Sequence, residues 1–223
     1  MTLLQILLFS TGVSGALMFG LTAWYRTDGA KERRIREEPD RKLAGGRFWT
    51  RVLLNGAFSG LLSIGLPLYF GSKLFYSTEV PVWKILGQAV LVLAVYDFTY
   101  YFLHRFPFHE WEFLKKVHSV HHMARYPQAA DSLYLHPLEN FLGLALLMVC
   151  TWACGPIHLY AWGIVFFLYT QLNVLVHAGL ELPGPFKALS YMSRKHDKHH
   201  QTMRSGNYAS ITPIPDLLFG TAE

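Results

Sequence analysis

The chain has 223 residues, of which 52% are hydrophobic, 15% aromatic and only 16% charged, with a formal net charge of +5. This length suits one compact unit, and apolar residues gathered in blocks exclude an ordinary soluble domain or a disordered chain. Cys150 and Cys154, the two cysteines, sit four apart in an apolar stretch; they read as packing and exclude a disulfide framework.

A helix needs roughly 20 apolar residues to cross a bilayer. In chain order, residues 3–25, 52–76 and 82–103 meet that length. The block 141–176 is too long for one crossing, and the Gly-Pro break in CGPIH (154–158) predicts a hairpin of two helices. The first segment has no basic n-region, so it reads as a membrane anchor and not as a cleaved leader. The expected fold is therefore all-α, an integral membrane helical bundle of four to five spans carrying a cytoplasmic histidine-rich cap. Residues 1–89 are expected to form anchor spans and a basic loop, and residues 90–223 a second, histidine-bearing part.

The loop after the first span, read as a solvated amphipathic helix or linker, holds nine Lys or Arg (Arg26, Lys31, Arg33, Arg34, Arg36, Arg41, Lys42, Arg47, Arg51). The next loop offers Lys73 and Lys84. The positive-inside rule puts the first loop in the cytoplasm. Counting crossings then places 104–138 and the tail from His177 on the same side. Arg105, Lys115, Lys116 and Arg125 flank one of these segments, and Lys187, Arg194, Lys195, Lys198 and Arg204 the other, which agrees. Basic charge spread along one membrane face suits anionic headgroups and needs no nucleic-acid partner.

Those two segments carry HSVHH (118–122) and HDKHH (196–200), and ten of the eleven histidines fall on the cytoplasmic side, His158 being the exception. On a helix, positions i, i+3 and i+4 share a face, so each triplet should turn its three rings to one point. Imidazole ligates zinc, iron, copper and nickel. Eight to ten such ligands exceed one ion's four to six sites, so two ions are implied. No cysteine accompanies the clusters and no HEXXH occurs, which argues against zinc fingers, iron–sulfur centres and zinc proteases. Asp97, Glu110, Asp131, Glu139 and Asp197 are candidates to orient the rings, each with an ordinary cap or salt-bridge role as an alternative. Asp97 stands out because a carboxylate deep in an apolar span is costly.

The series DFTYYFLHRFPFHEWEFLKKVHSVHH, LHPLEN, HAGLELP and HDKHHQTMRSGNYAS, with LLFGT near the end, resembles the fatty acid hydroxylase and sterol desaturase superfamily of membrane di-iron enzymes over residues 90–221. The resemblance implies a first histidine box at His104 and His109, a second at His118, His121 and His122, and a third at His196, His199 and His200. His177 matches an additional ligand position and His136 a further one. It also implies two iron ions, with zinc able to substitute, O2 as co-substrate, and hydroxylation or desaturation of a fatty acyl or sterol-like lipid. The four residues between His104 and His109 are similar to acyl hydroxylases, whereas HAGLELP and GNYAS are closer to sterol 4-methyl oxidases. Acyl hydroxylases carry a histidine where this chain has Asn173, so water or the Asn173 oxygen could complete one ion's shell. No HPGG, GXGXXG or iron–sulfur set is present. Electrons are thus expected from a separate protein of cytochrome, ferredoxin or reductase type. Phe98, Tyr100, Tyr101, Phe102, Phe106 and Phe108 either wall the substrate pocket or anchor the interface. Two other readings of the ligands are a histidine-rich metal transporter and a zinc-dependent lipid enzyme without redox chemistry.

Overall fold

The computed structural model describes residues 1–37 and 43–223, so Arg41 and Lys42 of the basic loop lie outside the described residues. The chain is mostly helical. The long helices are α1 (Leu3–Tyr25), α2 (Gly45–Leu74), α3 (Val82–Leu103), α5 (Pro137–Ala153) and α6 (Leu159–Val176). Short α4 (Glu112–His118), α7 (Lys187–Gln201) and short α8 (Ile214–Leu218) belong to the segments joining or following them. Among the described residues, four helices are long and apolar enough to cross a membrane: 3–25, 45–74, 82–108 and 159–176, the third counted with the π-turn His104–Phe108 that extends α3. The fifth, α5, is a shorter apolar helix that forms the expected hairpin with α6. Leu8, Leu54, Leu61, Tyr69 and Val90 point outward, as a bilayer solvent permits.

Several helix ends have a visible local cause. Thr2 and Gln5 form a capping box on α1, satisfying orphan N–H groups that lipid could not. Gly155, at φ +80°, turns the chain after α5. The His158 ring then accepts the Tyr160 N–H at 3.1 Å and caps α6. Beside it, β2 (Ile157–His158) pairs in parallel with β1 (Phe75–Tyr76), and the His158 N–H donates to Gln88 Oε1 at 2.9 Å. His158 is thereby held near the start of α3, while His104 stands at its end, about 24 Å away along the axis.

Alternation of direction brings the ends of α1, α3 and α6 together with the starts of α2 and α5. α1 and α2 pack directly on α6 and α5, and Leu7, Val92, Leu147, Trp162 and Phe166 share one core. The anchor helices and the histidine-bearing half are thus one packed body. A second cluster, with Phe48, Val52 and Tyr134, closes the end from which the histidines emerge. There the segment after α1 folds back on the C-terminal half: Ile35 N–H donates to Gly179 O, Glu181 N–H donates to Arg33 O, and Arg36 pairs with Asp197 at 2.6 Å.

Gly179 lies at φ +64°, and a Cβ there would collide with the Pro127 carbonyl. Gly179→Ala is expected to cost more than about 2 kcal/mol, read as a lowered unfolding temperature of the detergent-solubilised chain, whereas Gly12→Ala, in open space, should leave it unchanged.

Candidate metal centre

The histidines gather beyond the ends of α3 and α6. His104 caps α3 and opens the π-turn, after which His109 follows; Pro107 within the turn withholds a backbone N–H from the regular α pattern. His118 ends α4, His121 and His122 lie in a 3-10 turn, His177 caps α6, and α7 carries His196, His199 and His200.

Nine rings form two groups, each with its ligand nitrogens within 4.8 Å of one another: His104, His109, His118, His122 and His199 in one, and His121, His177, His196 and His200 in the other. The expectation that each triplet converges on one point is corrected here. In both HXXHH clusters the i and i+4 residues share a group and the i+3 residue belongs to the other. On an ideal helix, i and i+4 differ by only about 40° around the axis, whereas i+3 lies about 100° from i+4. The α7 triplet follows that geometry, and the break after His118 achieves the same division in the second box.

The hydrogen bonds on the outer nitrogens show what the inner ones can do. His104 Nδ1 meets Tyr208 O at 2.7 Å, His109 Nδ1 meets Met203 O at 2.9 Å, and His199 Nδ1 meets Gly206 O at 2.7 Å. His118 Nδ1 meets Glu139 Oε1 at 2.8 Å, and His177 Nδ1 meets Asn173 O at 2.6 Å. His121 Nδ1 faces Tyr134 O at 3.4 Å. Carbonyl oxygens only accept, so the Nδ1 atoms that meet them carry the proton and the matching Nε2 atoms present a lone pair, and the Glu139 carboxylate, when ionised, imposes the same tautomer on His118. Yet Nε2 atoms face one another at 3.0 Å between His104 and His118 and at 3.0 Å between His177 and His121. Neither member can donate, so these approaches are not hydrogen bonds; they are lone pairs aimed at a common point. First-row metals bind imidazole at about 2.0–2.1 Å, so two ligands at right angles stand about 3 Å apart. The nitrogen separations fit a cation in each group.

Burial has already prepared the rings electrostatically. It pushes His109, His118 and His177 down to about 3, and His121 to about 4, from an ordinary 6.5; His122 moves further in the same direction, helped by His199 and His118. Neutral rings need release no proton to take a metal.

The other predicted residues occupy different posts. His136 stands outside both groups and is exposed; its Nδ1 accepts the Leu138 N–H at 3.1 Å and caps α5, so the expected ligand is here a helix cap before Pro137. Asp97 touches no histidine. Its carboxylate accepts the N–H groups of Ser210, Ile211 and Thr212 and the Thr212 hydroxyl, anchoring the loop whose Tyr208 carbonyl holds His104. Asp197 is engaged by Arg36 instead of a ring. Asn173 contributes its backbone carbonyl, as above. Glu139 is the carboxylate that orients a ligand, and the carbonyls of Met203, Gly206 and Tyr208 are partners that no side-chain pattern could announce.

A cavity of about 330 Å³ runs from α1 and α2 to members of both groups, among them His104, His118, His121, His177 and His196. Tyr100 lines it, whereas Phe98, Tyr101 and Phe102 pack against Phe219, Phe106 stacks on Phe102 and Phe108 stacks on His118. Of the six aromatic candidates, Tyr100 alone serves as pocket wall.

Comparison with known proteins decides the family, because the fatty acid hydroxylase family matches residues 89–221. The chain belongs to that family. It is 33% identical to methylsterol monooxygenase 2-2 of Arabidopsis thaliana over 204 residues, covering 84% of this chain and 73% of that protein. A very-long-chain aldehyde decarbonylase of Oryza sativa is 34% identical over 168 residues, 72% of this chain and 62% of the relative. Methylsterol monooxygenase 1 of Rattus norvegicus is 33% identical over 184 residues, 75% of this chain and 60% of the relative. The chain thus spans between 60% and 73% of these family members. No solved structure gives a significant match.

Metal analysis should separate these histidines by place. His122→Ala and His200→Ala are expected to lower bound metal affinity by at least about tenfold, as Glu139→Ala should through His118; His136→Ala and His158→Ala should retain wild-type metal content. The metal-free chain should also respond to acid. With the folded-state values of His109, His118, His121 and His177 depressed, the unfolded chain binds more protons as pH drops below 6.5. Stability is therefore full above about 6.5 and falls progressively toward pH 4, which thermal unfolding across that range will register.

Proposed function

We propose that this chain is a membrane di-iron oxygenase that hydroxylates a lipid, with a methylsterol-like lipid as the leading substrate class, using O2 and electrons from a separate donor protein. The observation that carries the reading is the pairing of two sets of inward-facing Nε2 atoms, six of the nine on rings whose Nδ1 meets an oxygen, with a cavity that leads from the helices to both. His104, His109, His118, His122 and His199 would hold one iron, and His121, His177, His196 and His200 the other. Bound iron supplies O2 activation and cleavage of an unactivated C–H bond, chemistry that side chains alone do not provide.

The chain's own residues perform the rest. The rings of His118 and His104 are fixed by Glu139 and the Tyr208 carbonyl, so their lone pairs stay aimed without reorganisation. Neutral imidazoles would leave the charge of a bound cation largely uncompensated. The cavity walls from α1, α2, α5 and α6 take the apolar body of the lipid and exclude water from the reacting carbon. A substrate dissolved in the bilayer can reach such a cavity laterally, without crossing water. The basic loop after α1 supports a cytoplasmic location for the histidine end, where a reduced donor has access. The methylsterol monooxygenases among the relatives support the sterol-like assignment, and the aldehyde decarbonylase extends the family's range to acyl-derived chains.

Lipid profiling of a host with and without the chain tests this. Expression should yield lipids heavier by one oxygen atom, labelled when 18O2 is supplied, in sterol fractions before acyl fractions. His118→Ala and His196→Ala should abolish the product while the protein still inserts. An unchanged lipid profile from protein loaded with iron and supplied with reductant would reject the assignment.

A further inference from the structure

We propose that the tail folds back into the bilayer beside α3, so that Ile214, Leu217 and Leu218 of α8 bind the acyl chains of the leaflet nearest the histidines. This surface accounts for the LLFGT motif (217–221), which supplies no metal ligand, and it stands independently of the oxygenase reading.

Depth is set by α3. Its crossing begins at Val82, so with about 1.5 Å of rise per residue a hydrocarbon core of about 30 Å ends near Phe102. Arg105, the next charged residue after Asp97 on this helix, stands just beyond that level. Asp97 lies about 22 Å along the same axis, inside the apolar span. It is the residue that receives the tail: Ser210, Ile211 and Thr212 donate their N–H groups to its carboxylate at 3.1, 2.7 and 2.9 Å. Phe219 then rests on Phe98, Tyr101 and Phe102, with ring centroids 6.5, 5.0 and 5.2 Å away. Val90, Ala94, Phe98 and Phe102 recur at i, i+4 spacing along one stripe of α3, and Val90 and Ala94 are exposed on it. The tail therefore prolongs the face that α3 turns to lipid.

Its backbone suits an apolar solvent. In hydrocarbon no water replaces a missing partner, so irregular chain there has to satisfy its donors internally. Every N–H from Asn207 to Ile214 does so. Asn207 donates to Thr221 O, Tyr208 and Ala209 to the Asp216 carboxylate, the next three to Asp97, and Ile214 to the Thr212 hydroxyl. Pro213 and Pro215 carry no N–H, and Leu217 and Phe219 donate to the carbonyls of those prolines. The carboxylates of Asp97 and Asp216 are buried, whereas Ile214, Leu217 and Leu218 are 50%, 61% and 67% exposed. A segment facing water gains nothing from this inversion, because water satisfies free N–H groups and penalises exposed leucines.

The same stretch bears on the metal centre. The Tyr208 carbonyl meets His104, and the Gly206 carbonyl, two residues earlier, meets His199. Lipid contact at α8 thus seats the loop that orients two rings of one histidine group.

Footprinting of the wild-type chain in phosphatidylcholine vesicles tests the surface without any substitution that could disturb folding. One sample is labelled with 3-trifluoromethyl-3-phenyldiazirine, which partitions into hydrocarbon, and another with hydroxyl radicals, which attack from water. Mass spectrometry compares residues 214–219 with 90–91 on the lipid face of α3 and with the polar stretch 201–204, each normalised to the denatured chain. The diazirine-to-radical ratio of 214–219 is expected to match that of 90–91 and to exceed that of 201–204 by at least about tenfold, as partitioning of an apolar reagent requires. A ratio nearer to that of 201–204 would overturn the proposal. So would protection of 214–219 from both reagents, the mark of a protein partner or a second copy of the chain in place of lipid. Neither reagent needs turnover or bound metal, so the result is independent of the lipid-profile test.

Discussion

Lone pairs that point at one another repel, and this chain holds several in that arrangement. His104 faces His118, and His177 faces His121, with every outer nitrogen in these pairs tied to an acceptor. Such an arrangement is unfavourable unless a cation occupies the point of convergence, so the rest of the fold must supply the restraint. The five long helices provide it by sharing one core and by ending together. Around their ends, Asp97 draws in the 208–212 loop and Arg36 draws the first loop onto α7. These polar contacts look remote from chemistry, yet they determine where the carbonyls that orient the rings can stand.

The cost of such an arrangement is reduced by where it is built. Histidines inside the apolar bundle would need partners that lipid cannot provide, and histidines on a free loop would reorganise on binding. At the helix ends they rest on rigid elements while the polypeptide backbone of the cap supplies acceptors. The cavity descends from there between the helices, so the same helix ends serve as a boundary between a metal centre with polar supports and a space suited to a hydrocarbon body.

Much of this was legible in the residues because the signals were long and regular. Apolar blocks marked the spans, the Gly-Pro break marked the hairpin, and the repeated histidine spacing marked the centre. The division of each triplet was not legible, since it depends on the end of α4 at His118 and on how α7 is rotated against the other elements. Nor could the supporting acceptors be read, because three of them are backbone carbonyls in a loop of unremarkable composition. Asp97 and Asp197 attracted attention through their placement in sequence, but packing gave them to the loop amides and to Arg36, and gave His118 to Glu139. His136 carried a usable warning: a residue directly before a helix-starting proline occupies a capping position, and its ring is used there.

The division of the triplets also bears on how the two halves of the centre come into being. His199 serves one group while His196 and His200 serve the other, all from a single rigid helix. Seating α7 therefore completes both groups in one movement, and a cation that fixes its position in one half removes much of the conformational freedom otherwise lost in forming the second. Were each half to hold a cation, the two occupancies would be linked through the entropy of one helix, which would favour chains with both ions or neither over chains carrying one.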